Sequence, residues 1–245
     1  MKNVLAFFLF FLLFCFSCKK KEAPTSPETQ VTTGGVASNG YSGVLTSGKY
    51  STTIFSGITI TGTSAFAYFS AEPVLAFDQL KSIRVANIYL NNDSLIYDNV
   101  IKYYRDEGNV ILGSQTWSVT GSNGISSFNL TNNLAFPSAD PFLVFPDSIS
   151  KTAGCTININ NISFITSGSL MLSDGTNSPT GFYSFVLKQG NNVVSILTND
   201  LATLATGSNA RLVLLIENST VVSFSSKNFK LVRENQITKQ IKIIP

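Results

Sequence analysis

The sequence predicts an all-β protein: an antiparallel β-sandwich, immunoglobulin-like or jelly-roll-like, built as two packed sandwich subdomains with one short connecting helix. Three observations predict it. Apolar residues recur at every second position over short stretches, clusters of Asn, Asp, Ser and Gly separate those stretches, and helical spacing is nearly absent. The composition agrees: 13% of the 245 residues are charged and 44% are hydrophobic, with Ser, Thr, Asn and Gly abundant enough to supply many turns.

The chain opens with one cation, Lys2, and an unbroken apolar run from Val4 to Phe16, followed by Ser17-Cys18. These are the parts of a secretory signal peptide over residues 1–17. The alternative, an uncleaved spanning helix, is disfavoured by length. At ~1.5 Å per residue the run reaches about 20 Å, short of a hydrocarbon core of roughly 30 Å. Lys19, Lys20 and Lys21 follow at once. The small Ser17 directly before Cys18 resembles the bacterial lipobox, with Cys15 and Phe16 standing where that signal favours Leu and a small residue. Bulky Phe14 before Cys15 removes Cys15 as the modified position. The resemblance implies that Cys18 becomes the new N-terminus and carries diacylglycerol and an N-acyl chain, palmitate among them. At about 0.8 kcal/mol per buried CH₂, three chains hold a protein firmly on a membrane. The lysines add about 1 kcal/mol each beside anionic lipid.

Residues 18–40 carry few large apolar residues and several Pro, Ser, Thr and Gly, which makes them a flexible tether of ~25 Å typical reach. The first sandwich subdomain is expected over 41–136. Its strand signals are Ile58 to Thr61, Ala65 to Phe69 and Trp117 to Thr120, and a slip of apolar phase between Val85 and Ile88 predicts a β-bulge. Turns are expected at Asn91-Asn92-Asp93, Asp106-Glu107-Gly108-Asn109, Ser122-Asn123-Gly124 and Asp174-Gly175-Thr176-Asn177. Pro137 to Pro146 is the expected joint, and the second subdomain spans 137–245. Its strands are read at Cys155 to Asn160, Phe182 to Leu187, Arg211 to Ile216 and Lys227 to Val232. The connecting helix runs from Thr198 to Ala205, capped by Thr or Asn and stopped by Gly207.

Trp117 to Gly121 with Ile125 to Phe128, Leu90 to Leu95, and the ending Lys227 to Val232 with Ile241-Lys242-Ile243 resemble segments of β-sandwich lipoproteins of Bacteroidota-type bacteria. The resemblance implies lipid anchoring at the outer membrane, on its periplasmic or its cell-surface face, and a β-sandwich body. It brings no activity with it. Surface export in those bacteria goes with acidic residues soon after the acylated cysteine, where this chain has Lys19-Lys20-Lys21-Glu22.

The chain has no histidine. That removes His-dependent nucleophilic sites, the usual proton shuttle at physiological pH and most zinc sites. No phosphate-cradling glycine motif occurs, and no basic run follows the tether, so no cofactor and no nucleic acid is expected. Of 17 basic residues Lys2 leaves with the signal, so 16 stand against 14 acidic ones, a net charge of about +2. With Cys18 acylated, Cys155 has no disulfide partner. It shares a strand face with Ile157 and Ile159 and reads as a buried, inert thiol.

Carboxylate pairs suited to glycoside hydrolysis are Asp106 with Glu107 and Asp93 with Asp98, all among turn residues. The loops at Asp174 and at Asn91 to Asp93 offer oxygen ligands for Ca²⁺, without the acid density of an EF-hand, and no metal site is assigned. Trp117 alternates with polar residues and reads as core. Tyr103 and Tyr104 face opposite sides of one strand, so one of them is exposed. With Tyr183 they form the candidate ligand-binding set, and Tyr97 and Phe182 are further candidate contributors.

The expectation is a non-enzymatic, lipid-anchored protein of the cell envelope with a binding or structural role. Its partner would be a glycan or another envelope protein. A glycan-binding accessory of an uptake system is the alternative and needs two coplanar exposed aromatics. A polysaccharide-active enzyme needs two facing acids in a cleft.

Overall fold

Two 18-residue strands at the end of the chain organise the fold. The computed structural model describes residues 32–34, 40–54, 57–107, 113–140, 143–176 and 181–245. In chain order the strands are β1 (Thr32–Gly34), β2 (Tyr41–Thr53), β3 (Thr59–Val74), β4 (Asn87–Leu90), β5 (Asp93–Ser94), β6 (Ile96–Asp98), β7 (Tyr103–Glu107) and β8 (Gln115–Thr120). There follow β9 (Phe128–Asn132), β10 (Ser148–Ser150), β11 (Cys155–Ile162), β12 (Ser167–Ser173), β13 (Phe182–Val186), β14 (Gly190–Ile196), β15 (Gly207–Phe224) and β16 (Lys227–Ile244).

A large sheet runs β13-β12-β15-β16-β2-β3-β7-β6, with β1 added to β15 and β10 to β16. Most pairings are antiparallel, but β16 pairs parallel with β2 and with β10. Two smaller sheets, β5-β4-β8-β9 and β11-β14, pack on the same face of the large one. The protein is therefore an all-β, sandwich-type fold.

Alternation along β16 explains this layering. Phe229 and Leu231 enter the first core with Trp117, Phe128 and Phe69, while Ile241 and Ile243 enter the second with Leu212, Leu214 and Ile159. Between them, on the same face, lie Arg233 and Asn235, both buried. Burying a large apolar side chain stabilises by about 1.5–3 kcal/mol, so each core is a substantial contribution. The seam between the cores is polar. Arg233 Nη2 donates to the carbonyl oxygens of Gly113 (2.7 Å) and Asn132 (2.6 Å), and its guanidinium lies 4.5 Å from the centroid of Phe136. Beside it Ser47 Oγ donates to Gln115 Oε1 at 2.6 Å. Asn235 Nδ2 donates to the Pro137 carbonyl at 3.3 Å.

The expected joint at Pro137 to Pro146 does leave one small sheet for the region of the other. The large sheet nevertheless continues past it, because β15 and β16 feed both cores. The phase slip near Val85 does fall at an irregularity of the bulge kind: Ala86 N–H donates to the Thr120 carbonyl at 3.0 Å, and Thr120 is also the partner of Asn87, so two residues stand opposite one where β4 begins. Val85 is buried just ahead, and its carbonyl accepts the Tyr104 hydroxyl. The helix is one turn, α1 (Thr198–Leu201). Its Thr and Asn do not cap it. Asp200 Oδ2 accepts the Leu197 N–H at 2.8 Å from inside the first turn, and Gly207 already belongs to β15.

Candidate ligand groove

The other face of the large sheet is covered by neither small sheet. Side chains that share it come from alternate positions, and the strand register sets them in rows. One row reads Glu217, Glu234, Gly48 and Ser64 across β15, β16, β2 and β3. The next reads Ser219, Val232, Thr46, Phe66 and Arg105. A third joins Val221, Lys230, Val44 and Tyr68.

After β3 the chain turns back over this face at Leu75 to Phe77, and a 3-10 turn at Gln79–Lys81 follows. Tyr68 holds that return, its hydroxyl donating to the Asp78 carbonyl at 2.9 Å. Asp78 Oδ1 in turn accepts the Leu80 N–H. A groove of about 440 Å³ results. Val44, Phe66 and Tyr68 floor it, and Leu75, Phe77 and Tyr103 wall it. Lys230 and Glu234 supply its polar side. Leu75 and Phe77 stay 77% and 50% exposed, more than a structural clasp requires.

Glu234 is the unusual group here. Its side chain lies flat over Gly48, close enough that a Cβ there would stand 2.7 Å from Glu234 Cγ. Burial, with the neighbouring Glu217 carboxylate adding to it and Lys230 opposing, raises its pKa from 4.5 to about 7. Glu217, its direct cross-strand partner, is held instead by Lys230 Nζ at 3.3 Å and Ser167 Oγ at 3.1 Å. Among the described residues no hydrogen bond reaches the Glu234 carboxyl. Of these two adjacent acids only Glu217 has a cation and a hydroxyl in contact, and Glu234 is left with neither.

The positions singled out by sequence separate widely. Cys18 lies outside the described residues. Tyr103 walls the groove, half-buried, its ring edge-on to Phe66 at 5.6 Å and to Phe77 at 6.0 Å. Tyr104 faces the first core, 3% exposed, and burial raises its hydroxyl pKa to about 12. Tyr183 is half-buried against the second core on β13, six strands from Tyr103 or ~29 Å at strand spacing. The three therefore form no common site. Tyr97 packs on Tyr104 and under Arg84. Phe182 stays exposed on β13.

Trp117 is fully buried. Cys155 is half-buried beside the second core, and burial raises its thiol pKa, which suits an unreactive sulfur. Asp98 closes a turn, accepting the Val100 and Ile101 N–H groups and pairing with Arg105. Burial pushes the Asp174 carboxyl up, but the N–H groups of Ala205 and Thr176 and the Thr176 hydroxyl outweigh it and hold the pKa low. Asn91 Oδ1 accepts the Thr116 N–H. These oxygens organise turns, and no cluster of three metal-ligating side chains occurs among the described residues.

The groove itself escapes sequence reasoning because its parts lie on β2, β3, β7 and β16, and Lys230 and Glu234 join the others only through the parallel β16–β2 pairing. Its aromatics also meet edge to face. Interplanar angles are 82° for Phe66 with Tyr103, 71° for Tyr68 with Phe77 and 79° for Phe77 with Tyr103. No flat plate of two coplanar rings results in this cluster. No family model matches the sequence, and no curated protein matches it.

Proposed function

We propose that the protein is a lipid-anchored, non-enzymatic component of the bacterial outer membrane that binds an envelope partner through this groove. The anchor rests on the run from Val4 to Phe16 followed by Ser17-Cys18. The binding role rests on one observation: an aromatic-walled groove with a half-neutral carboxyl at its side. The ligand that fits is an extended polypeptide segment presenting an apolar side chain next to Lys or Arg. Glu217 and Glu234 outnumber Lys230 once Glu234 ionises, and the aromatic walls favour a cation against their faces. Ring packing at steep angles suits side-chain insertion better than the stacking of a sugar.

Two measurements test this reading. Intact mass after detergent extraction should show a chain starting at Cys18 with added acyl mass, lost in Cys18→Ala. An unmodified chain would make the protein freely secreted. Short extended peptides bearing one aromatic and one lysine should bind more tightly as pH rises from 6 to 8. The same peptides with the lysine acetylated should lose both affinity and pH dependence. Equal binding of both sets would remove Glu234 from the recognition.

A further inference from the structure

β13 ends the large sheet, and among the described residues nothing pairs with its outer edge. The strand reads Phe182-Tyr183-Ser184-Phe185-Val186, with no charge and no proline. Phe182 is 49% and Val186 86% exposed.

The ladder fixes which backbone groups are free. Leu187 N–H donates to the Gly168 carbonyl at 2.9 Å, and Asp174 N–H donates to the Gly181 carbonyl at 3.1 Å. Between these ends the register with β12 is continuous. Hydrogen-bonded and non-bonded pairs alternate in an antiparallel ladder. Tyr183 and Phe185 therefore bond to β12, while Phe182, Ser184 and Val186 point their N–H and C=O groups away from the sheet. Among the described residues nothing accepts or donates there.

We infer that this edge pairs with the same strand of a second copy about a two-fold axis through Ser184. The free groups are centred on that residue. Antiparallel self-pairing sets Ser184 against Ser184, Phe182 against Val186 and Val186 against Phe182. Every free group is then used, two hydrogen bonds to each of three pairs. The side chains match as well. On the uncovered face each Phe182 meets a Val186, and on the core face each Tyr183 meets a Phe185, prolonging the second core from one copy into the next. No like charges face each other. A strand from an unrelated protein would satisfy the backbone equally but not this symmetry, and the isologous contact closes after two copies. The dimer does not depend on the groove or the anchor, and it leaves the groove, near the opposite edge of the sheet, unobstructed.

The test uses the processed chain, extracted in mild detergent, with Cys155 replaced by serine; Cys18, once a thioether, has no thiol to cross-link. Ser184→Cys places two thiols at the axis, where a hydrogen-bonded pair has Cα atoms about 5.5 Å apart, within reach of a disulfide. Mild oxidation should give a covalent dimer, while Ser195→Cys, exposed on β14, should give at least about tenfold less. Ser184→Pro removes an N–H that β12 does not use, so the monomer keeps its fold and strand signature by circular dichroism. Sedimentation should then show a dimer for the serine-substituted parent and a monomer for Ser184→Pro. Val186→Lys, which sets a charge against Phe182, should weaken association at least about tenfold, or ~1.4 kcal/mol. A parent that is monomeric at all concentrations would overturn the inference. So would a folded Ser184→Cys protein that cross-links no better than Ser195→Cys.

Discussion

Arg233 and Glu234 are consecutive on one strand, carry opposite charges and face opposite sides of the large sheet. Both are pulled from water, and burial lowers the pKa of the arginine as it raises that of the acid. Yet Arg233 stays charged at neutral pH, whereas Glu234 is half-neutral at about pH 7. The distance to ordinary pH explains part of this, and partners explain the rest. Arg233 has two carbonyls and a ring in contact, while Glu234 has a glycine beneath it and another acid beside it. Tyr104 and Tyr103 repeat the contrast: one is locked to a carbonyl in the core, the other lines a groove. The covered face of this sheet holds Arg233 in bonds between elements, and the uncovered face leaves Glu234 at the side of a groove.

Substitutions should separate the two faces by size of effect. Arg233→Met would leave the Gly113 and Asn132 carbonyls without their buried donor and should cost about 3–5 kcal/mol in urea unfolding. A loss below ~1 kcal/mol would mean that the seam is plastic. Tyr104→Phe deletes the hydroxyl that bonds the Val85 carbonyl and should cost about 1–3 kcal/mol.

Next comes a pH effect. The native Glu234 carboxyl keeps its proton to about pH 7, whereas in the unfolded chain it would release it near 4.5. The native state therefore binds more protons between those values, and stability falls as pH rises through that window. Screening by the water that still reaches this half-buried group brings the expected loss from pH 5 to pH 8 to ~1–2 kcal/mol. Glu234→Gln should flatten that part of the profile and raise stability at pH 8. The smallest effect on stability should be that of Phe77→Ser, within ~0.5 kcal/mol because the ring is half exposed. The same change should weaken binding of the lysine-bearing peptides severalfold, as titration calorimetry would read.

Where alternation met a core, the sequence was legible. Trp117 and Val119 fall inside, Tyr103 and Tyr104 part to opposite faces, and Ile157 and Ile159 share a buried face. Asn91-Asn92 and Asn123-Gly124 turn with positive φ as their residue types suggest. The long hairpin was not legible. Its turn is Ser225-Ser226, both at positive φ without Gly or Asn, and its strands carry Glu217-Asn218-Ser219-Thr220 and Arg233-Glu234-Asn235-Gln236 at mid-length. Such polar runs read as loops, but here they cross the seam where neither core supplies apolar partners. Gly62 broke the pattern of β3 in the same way, although it lies in the strand so that Tyr50 can lie across it. The groove left no local signal, since nothing near Glu234 in sequence announces Gly48 beneath it.

The contrast between the faces rests most directly on Glu234, and carboxyl-carbon NMR of that residue across pH 4 to 9 measures it. A midpoint of about 7, moving down when a lysine-bearing peptide is added, is the result predicted. A midpoint near the ordinary 4.5, unmoved by peptide, would contradict it.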